Sequence, residues 1–372
     1  MKEIKEKEIK TYGINYAGSK KKLLPNILKI IPDDVKTIFD GFSGTTRVAQ
    51  ALKQFNYNVD LNDLSTISKV FGNCFLNNKN PKEFYKSYIN KLNNLEPQEG
   101  WFTKNYGGEN INGKNVGKDN LKKPWLIKNT KKIDSIRNQI EIWYKNKEID
   151  EIEKDTLLTS LLLASNKVMN ALGHHTSYLK EWSKASLNNL LLEIPDFNLY
   201  EEKSVIYNDD IFNIIDKLDN YDLIYLDPPY GSGNIKAPSS RVRYQSYYHL
   251  WTTIILNDKP KLFGKSLRRE DSKDTNSYSP FEDFRKDENG NFICINSIEK
   301  IINSLKNKTK YIILSYSTEG GGVDSMENML KKYGKIESFF IDYKKHSMSS
   351  MKTHGKYAHD RELKEILFLI KF

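Results

Sequence analysis

A short apolar run that ends in an acidic residue and a glycine, and is followed at once by a helical pattern, constrains this chain most. The run at 35–39 is apolar and β-branched, Asp40-Gly41 closes it, and a helical pattern begins at 45–46. A second apolar run at 57–61 is again followed by a helical pattern. Strand, glycine turn and helix in this order are typical of the opening of a doubly wound α/β sheet.

The same strand pattern returns in the rest of the chain, at 204–207, 223–226, 311–315, 338–341 and 366–370. With the first two runs, these segments predict seven strands. We therefore expect an α/β fold built on a doubly wound, mostly parallel, Rossmann-like sheet. A length of 372 residues is enough for such a domain and a second module.

A long helical stretch interrupts this alternation between residues 81 and 199. The segments 133–144 and 157–172 carry apolar residues at the i, i+3 and i+4 spacing of amphipathic helices. We expect 81–199 to be an inserted helical module, and 11–80 and 200–372 to form the sheet domain together.

Two segments show little periodicity. The segment 104–132 is rich in Gly, Asn and Lys, with eight lysines against two acidic residues, and this composition predicts a mobile loop. The segment 231–291 carries Pro, Ser, Arg and Lys and is too long for an ordinary connection. We expect it to be an irregular loop region within the sheet domain.

The charge balance indicates a polyanionic partner. There are 58 Lys and Arg against 48 Asp and Glu, which gives a net charge of +10 at pH 7 and a pI near 9.1. The 12% of aromatic residues argues against a disordered chain. Two cysteines form neither a disulfide framework nor a paired zinc motif. No apolar run approaches the roughly 18 residues that cross a bilayer, and we expect a cytoplasmic protein without a membrane partner.

The tetrapeptide Asp227-Pro228-Pro229-Tyr230 directly follows the apolar run 223–226. The carboxyl end of a parallel strand is where such folds place their sites, and two prolines hold the flanking carboxylate, carbonyl and ring rigidly. The exocyclic amine of adenine is a poor nucleophile because its lone pair is delocalised into the ring. A carboxylate and a main-chain carbonyl that accept its two hydrogens would localise the lone pair, while the tyrosine stacks on the base.

The turn at 39–46 carries Gly41 and Gly44 but lacks the dinucleotide signature and the P-loop lysine. This pattern argues against NAD and ATP, and in favour of a ligand that approaches the backbone closely without a pyrophosphate. Asp63 ends the next predicted strand, where doubly wound folds place the acidic residue that binds ribose hydroxyls. Asp60 is the competing candidate for that role.

Five motifs follow one another along the chain: Tyr16-Ala17-Gly18-Ser19-Lys20, Phe39-Asp40-Gly41-Phe42-Ser43-Gly44-Thr45-Thr46, Asn62-Asp63, Asn208-Asp209-Asp210-Ile211-Phe212 and Asp227-Pro228-Pro229-Tyr230. Their order resembles that of the Dam-like, D12-class adenine-specific DNA methyltransferases, and the resemblance covers most of the chain. It implies the seven-stranded methyltransferase fold with a helical target-recognition insertion. It also implies S-adenosylmethionine as the cofactor.

The resemblance assigns a role to individual residues. The catalytic set is Asp227, Pro228, Pro229 and Tyr230. The cofactor-binding set is Tyr16, Ala17, Lys20, Phe39, Asp40, Phe42, Gly44, Thr45, Thr46, Asp63, Leu64, Asp210, Ile211, Phe212 and Asp227. In this scheme Lys20 contacts the methionine carboxylate, Asp63 the ribose, and Asp210 with its neighbours the adenine.

An enzyme of this kind must flip its target base out of double-stranded DNA at a short specific site, with cationic side chains on the phosphates. The candidate DNA-facing parts are 104–132, the helical insertion and the stretch from Arg241 to Arg269. The pair His174-His175 suggests a metal, but adjacent histidines do not share a helix face and no carboxylate stands at ligand spacing. We expect a polar loop there and no metal in the chemistry.

The most specific hypothesis is transfer of a methyl group from S-adenosylmethionine to the N6 amine of a flipped adenine, in a restriction–modification system with a possible cognate endonuclease. No cysteine follows a proline, which disfavours cytosine-C5 chemistry. Cytosine-N4 methylation remains the closest alternative, and the aspartate that begins the tetrapeptide favours adenine. An RNA or protein amide methyltransferase and a non-catalytic DNA-binding subunit on the same fold also remain open.

Overall fold

The computed structural model describes residues 9–230, 244–273, 276, 278–318, 322–342 and 364–372. The strands of the central sheet are β1 (Thr37–Asp40), β2 (Asn58–Asn62), β6 (Ile206–Tyr207), β7 (Tyr221–Leu226), β10 (Thr309–Ser317), β11 (Lys335–Asp342) and β12 (Lys364–Lys371). The short strands outside that sheet are β3 (Gly107–Ile111), β4 (Lys114–Val116), β5 (Trp125–Leu126), β8 (Leu262–Phe263) and β9 (Arg268–Arg269).

The helices are α1 (Leu24–Lys29), α2 (Arg47–Gln54), α3 (Thr66–Leu76), α4 (Lys82–Asn93), α5 (Trp101–Tyr106), α6 (Ile127–Lys145), α7 (Glu151–Lys167), α8 (Ile211–Ile214), α9 (Tyr244–Tyr247), α10 (His249–Leu256), α11 (Ile293–Leu305) and α12 (Val323–Leu330). A 3-10 turn at Lys20–Leu23 precedes α1. Among the described helices, none is long and apolar enough to cross a membrane.

The central sheet has the order β11-β12-β10-β7-β1-β2-β6. All neighbouring pairs are parallel except those that β12 makes with β10 and β11. Each strand overlaps one of the seven predicted runs, so the predicted α/β fold with a seven-stranded, mostly parallel sheet is confirmed. The prediction succeeds because central parallel strands are buried on both faces and therefore appear in the sequence as continuous apolar runs.

Apolar side chains of the central strands alternate between two cores. Ile38 and Leu223 belong to the core on one face of the sheet, with α1, α2 and α3. Phe39 and Ile224 belong to the core on the other face, with α8, α11 and α12. Helices on both faces make this a doubly wound sheet. The faces of the sheet are therefore covered, and the carboxyl ends of its strands are where a ligand can bind.

Between α3 and β6 the chain forms α4 to α7 and a small sheet of order β4-β3-β5. Helix α7 packs on α3, and the Asn73 side chain donates a 2.7 Å hydrogen bond to Asp155 across that interface. The predicted helix at 133–144 lies within α6, whereas the helix predicted over 157–172 ends at Lys167. The helical segment therefore packs on the sheet domain through buried side chains.

The prediction of a mobile loop over 104–132 is wrong. The segment contains the end of α5, the β3–β4 hairpin, β5 and the start of α6. Asn112 and Gly113 have φ values of 50° and 82°, and such a pair makes the tight hairpin turn. Trp125 is completely buried, and its indole N–H donates to the carbonyl of Ser165 at 2.9 Å. Turn chemistry and one large buried side chain thus order a segment whose composition suggests a loop.

The predicted irregular region 231–291 also contains α9, α10 and the β8–β9 hairpin. Residues 231–243, which include Arg241 and Arg243, lie outside the described residues. Arg269 is 4% exposed, and its guanidinium pairs with Asp258 and Asp271 at 2.7 Å. Its charge is therefore used inside the protein, to hold the hairpin to the end of α10.

Candidate active site

The candidate site lies at the carboxyl ends of β1 and β7. After β1 the sheet grows towards β2 and β6, and the chain then returns to place β7 on the other side of β1. The gap between these two strands is thus the topological switch point, where open α/β sheets bind their ligands. The N–H of Gly41 donates to the carbonyl of Tyr225 at 2.9 Å, which joins the two strand ends.

The glycine turn after β1 is tight: the N–H of Thr46 donates to the carbonyl of Ser43 at 2.6 Å, and the N–H of Ser43 donates to the carbonyl of Asn62 at the end of β2 at 3.0 Å. Gly44 has φ of 51°, and a Cβ there would lie 3.4 Å from the Tyr16 ring. Thr46, the residue before α2, has φ of 59°, a strained conformation for a β-branched residue. Its hydroxyl accepts a 3.0 Å hydrogen bond from Gln50, and Thr45 beside it is buried. Of these residues, Gly44 is the one that allows a close approach to the backbone.

Asp63 joins this turn to the end of β2. Its carboxylate accepts hydrogen bonds from the N–H of Gly44 at 2.7 Å and from the N–H of Ser65 at 2.8 Å. Burial raises the pKa of Asp63, and these two N–H groups partly oppose the shift. Asp60 instead accepts from Val205 and from the hydroxyl of Tyr221. Its contacts are with the residue before β6 and with β7, so the geometry favours Asp63 over Asp60 at the crevice.

Asp40, the last residue of β1, is fully buried. Neither of its carboxylate oxygens has a hydrogen bond of normal geometry among the described residues. Burial raises its pKa well above the ordinary value, the charges of Asp227 and Asp63 add to the shift, and the N–H groups of Phe42 and Ala49 oppose it only in part. A buried carboxyl with only these weak partners is costly, so this position is suited to a ligand that brings a cation or an N–H donor.

Aromatic rings close the crevice on the side of the N-terminal motif. The rings of Tyr16 and Tyr248 stack with centroids 4.3 Å apart, and the Tyr244 ring lies 5.3 Å from that of Tyr16. The N–H of Ala17 donates to the Tyr248 hydroxyl at 2.6 Å, and the Tyr244 hydroxyl donates to the Ala17 carbonyl. Burial raises the pKa of Tyr16 well above its ordinary value, so its phenol stays neutral.

A buried network surrounds the tetrapeptide after β7. The ammonium of Lys20 lies 3.0 Å from Oδ1 of Asp227 and 2.7 Å from Oε1 of Glu365 on β12. It also donates to the hydroxyl of Tyr230 at 3.0 Å. That hydroxyl and the hydroxyl of Ser315 each donate to Glu365 Oε1 at 2.9 Å. Lys20 therefore uses its three donors inside the site.

The electrostatics of this network decide the protonation states. Burial raises the pKa of Asp227 to about 6, the Lys20 ammonium opposes that shift, and the charge of Glu365 adds to it. Burial alone would lower the pKa of Lys20, but the adjacent anionic groups raise it well above its ordinary value. At neutral pH the site therefore holds an ammonium beside an ionised Asp227 carboxylate.

A second group of aromatic rings lies at the other end of the crevice. The Phe42 ring meets the ring of Phe281 edge-on at 5.3 Å, and Phe281 stacks on Phe212 at 5.8 Å. The Asp210 carboxylate caps α8 by accepting from the N–H of Phe212 at 3.0 Å, and Ile211 is buried in the core. The ring of Phe212 is 38% exposed, so this wall offers a stacking surface for a planar ring.

Comparison with known proteins decides which family this site belongs to. Residues 16–317 match the model of the D12 class N6 adenine-specific DNA methyltransferases. This chain belongs to that family.

Curated relatives point in the same direction. The chain is 29% identical over 375 residues to the modification methylase StsI of Streptococcus sanguinis, which covers 96% of the chain and 52% of the relative. It is 29% identical over 376 residues, again covering 52% of the relative, to the type II methyltransferase M.FokI of Planomicrobium okeanokoites. The chain thus spans about half the length of these two relatives. It is 28% identical to the type II methyltransferase M.NlaIII of Neisseria lactamica over 89% of the chain and 92% of the relative.

Membership of this family implies a methyl donor. The structure brings most of the predicted site residues to one crevice. Phe39 and Ile211 are instead buried in the core, and Pro228, the second residue of the tetrapeptide, is also buried. Leu64, next to Asp63, is 57% exposed at the rim.

Sequence reasoning missed Glu365 and Phe281. Glu365 is a charged residue at the start of the apolar strand β12, and a buried acid in such a run is a signal in itself. Phe281 stands in a 3-10 turn without periodicity, so no local pattern marks it. The expected polar loop at His174-His175 packs inside: His175 is buried, and its Nδ1 accepts from the N–H of Leu250 at 3.2 Å.

Proposed function

We propose that this chain transfers a methyl group from S-adenosylmethionine to the N6 amine of an adenine flipped out of a short specific site in double-stranded DNA. This is the reaction of class EC 2.1.1.72. The observation that carries the proposal is the meeting of the glycine turn and the Asp227 tetrapeptide at the switch point between β1 and β7. Family membership supports the same reaction.

The residues present fit S-adenosylmethionine. Asp40 offers a buried carboxyl without a partner, which suits the ammonium of the methionine end. Gly44 lets the turn pack against the Tyr16 ring without a Cβ, Asp63 lies next to the turn where ribose hydroxyls would bind, and the Phe42 and Phe281 rings suit the adenine. When bound, the cofactor supplies a methyl group on a sulfonium centre.

Asp227 and Tyr230 would prepare the target amine for attack. The Asp227 carboxylate accepts one N–H of the adenine amine and a main-chain carbonyl of the tetrapeptide accepts the other. The lone pair is then localised on N6, which would form the new N–C bond as the S–C bond of the sulfonium breaks to leave a thioether, and one amine proton would then be lost to give the neutral N6-methyl product. The Tyr230 ring stacks on the flipped base, and its hydroxyl, held by Lys20 and Glu365, limits the rotation of the ring. No step in this scheme requires a metal ion.

Lys20 has a different role in this proposal from the one implied by family resemblance. Its three donors point to Asp227, Glu365 and Tyr230, so it supports the target-base side of the site rather than the methionine carboxylate. Tyr16, four positions earlier, lies against Gly44 of the glycine turn, and Ala17 is hydrogen-bonded to Tyr244 and Tyr248.

These positions suggest a function for each segment of the chain. We assign cofactor binding and catalysis to 11–80 and 200–372, target recognition to the inserted segment 81–199, and additional DNA contacts to the region 231–291. Within that region the Arg268 guanidinium lies 4.6 Å from the Phe263 ring on the β8–β9 hairpin. A net charge of +10 favours association with DNA, and a cognate restriction endonuclease is the expected functional partner.

Mass spectrometry of nucleosides tests the proposal. The full chain is incubated with double-stranded DNA and isotope-labelled S-adenosylmethionine, and the DNA is digested to nucleosides. We expect labelled N6-methyladenine as the dominant product, and none with the Asp227→Ala variant. Mainly N4-methylcytosine, or label in RNA or protein but not in DNA, would contradict the proposal.

A further inference from the structure

Glu365 is a buried carboxylate to which the methyl-transfer scheme assigns no reacting atom. It stands at the start of β12, opposite Ser317 on β10, and is 4% exposed. A buried acid is costly unless strong partners compensate it. The hydrogen-bond and ion-pair partners of Glu365 must therefore explain why a buried acid is tolerated in this sheet.

The side chains that bind Glu365 belong to the candidate site or touch it. Its Oε1 atom accepts from the Lys20 ammonium at 2.7 Å, from the Tyr230 hydroxyl at 2.9 Å and from the Ser315 hydroxyl at 2.9 Å. Lys20 is closer to Glu365 than to Asp227, from which it is separated by 3.0 Å. One oxygen atom thus controls both the cation beside Asp227 and the hydroxyl of the stacking ring.

The competition between the two carboxylates has a chemical consequence. If Asp227 were fully paired with Lys20, it would be a weaker acceptor for the amine hydrogens, because the ammonium would offset the negative charge of its carboxylate. Glu365 shares that ammonium, and the two carboxylates with one ammonium leave a net negative charge in the network.

We infer that Glu365 is a positioning residue of the methyl-transfer site: it draws Lys20 partly away from Asp227 and fixes the hydroxyl of Tyr230. The inference rests on the proposed function. Glu365 acts through other side chains and touches neither substrate nor cofactor in this scheme. Its removal is expected to impair methyl transfer without a matching loss of cofactor affinity.

Other groups around Asp227 set the direction of a pH effect. The titratable groups that face it from the packed elements are Tyr16, Lys20, Asp40, Tyr225, Tyr230, Tyr244 and Glu365. Among them Glu365 raises the pKa of Asp227, whereas Lys20 lowers it. Removing the charge of Glu365 and keeping the remaining groups must therefore lower the pKa of Asp227.

The test compares Glu365→Gln with Glu337→Gln in the full chain. Glu337 lies on the neighbouring strand β11, is paired with Lys371 at 2.7 Å and has a 41% exposed side chain. For Glu365→Gln we expect the single-turnover rate to fall about 10- to 100-fold, the loss that follows misplacement of reacting groups by ~1 Å. The KM for S-adenosylmethionine stays within about twofold of wild type. The acid limb of the rate profile moves to lower pH, and Glu337→Gln matches wild type.

A second variant separates charge from shape. Glu365→Asp keeps the carboxylate on a shorter side chain, so its acid limb should return towards the wild-type position even if its rate stays reduced. Thermal melting and calorimetric binding of S-adenosylmethionine are measured for every variant. Should Glu365→Gln fail to fold, Glu365→Met, which also removes the charge within an apolar strand, takes its place in the pH comparison.

Three results would overturn the inference. One is a Glu365→Gln rate and acid limb equal to those of Glu337→Gln. Another is a rate loss matched by equal losses of cofactor affinity and melting temperature with an unmoved acid limb, which would make Glu365 merely structural. A wild-type chain that forms no methylated DNA would overturn the proposed function as well, whereas an active wild type with an unaffected variant overturns this inference alone.

Discussion

The Lys20 ammonium lies 3.0 Å from Oδ1 of Asp227, so the 3-10 turn before α1 is fastened to the end of β7. The side chain of Lys20 is 5% exposed and that of Asp227 15%. The N-terminal motif and the tetrapeptide therefore act as one unit, although they stand far apart in the sequence. Changes at either residue are expected to alter the other.

Replacing Asp227 tests the acceptor directly. In Asp227→Asn the shape is kept but the charge is lost, and we expect the single-turnover rate to fall by about 10²- to 10³-fold, as when a preorganised electrostatic partner is removed. The affinity for S-adenosylmethionine, measured by calorimetry, should change little because the turn at Gly44 and Asp63 is untouched. A nearly normal rate would exclude Asp227 as the group that holds the amine.

Asp63 is expected to matter for cofactor binding. Its carboxylate accepts from the N–H groups of Gly44 and Ser65, so Asp63→Ala removes the proposed ribose ligand and also loosens the turn. We expect the binding free energy of S-adenosylmethionine to weaken by about 1–3 kcal/mol, the cost of losing hydrogen bonds to a charged group. Asp60→Asn is the matched control, and calorimetry should show wild-type affinity for it. The reverse order of effects would transfer the ribose role to Asp60.

Lys20→Met should shift the pH dependence in the opposite direction from Glu365→Gln. In the proposed mechanism Asp227 is ionised when it accepts the amine hydrogen, so the wild-type rate is expected to fall as the pH drops through about 6. Removing the ammonium takes away the group that opposes the shift, so the pKa of Asp227 rises. The acid limb then moves to higher pH, and the rate at neutral pH falls more than the rate at alkaline pH.

The control for this change is Lys21→Met, an exposed residue in the same turn. Rates of single turnovers are measured from about pH 5 to about pH 9 for the three proteins. A uniform loss at every pH for Lys20→Met would show that Lys20 acts by shape rather than by its charge on Asp227.

Much of this site could be predicted because its polar residues come directly after the apolar runs that form the strands. Asp40 and Asp227 each follow an apolar run, and parallel strands bring their carboxyl ends to one edge. Glu365 could not be placed, since its contacts with Lys20 join opposite ends of the chain and no local pattern encodes them. Phe281 was missed for a related reason: its packing on Phe42 is tertiary, and its own segment has no period.

The lysine-rich stretch 104–132 shows that composition does not predict which lysines are exposed. Lys123 and Lys132 belong to a lysine-rich stretch whose composition is typical of a solvated, phosphate-binding segment. Lys123 is 2% exposed, with its ammonium 2.6 Å from Asp119. The ammonium of Lys132 donates to the main-chain carbonyl of Asn93 at 2.7 Å. Both cations serve the fold, and burial of the kind seen at Lys123 cannot be predicted from a charge count.

The exposed lysines of that stretch are therefore the ones to neutralise. Lys104, Lys114 and Lys122 are exposed, and if they bind phosphates, their joint replacement by Gln should reduce the slope of log affinity against log salt by about one for each phosphate that is no longer neutralised. The matched control replaces three exposed lysines elsewhere and so removes the same charge: Lys331 and Lys332 in the turn after α12, and Lys335 at the start of β11. Both triple variants are titrated with double-stranded DNA over a range of salt concentrations. Equal slopes in the two variants would show that net charge, and not this part of the insertion, determines the salt dependence.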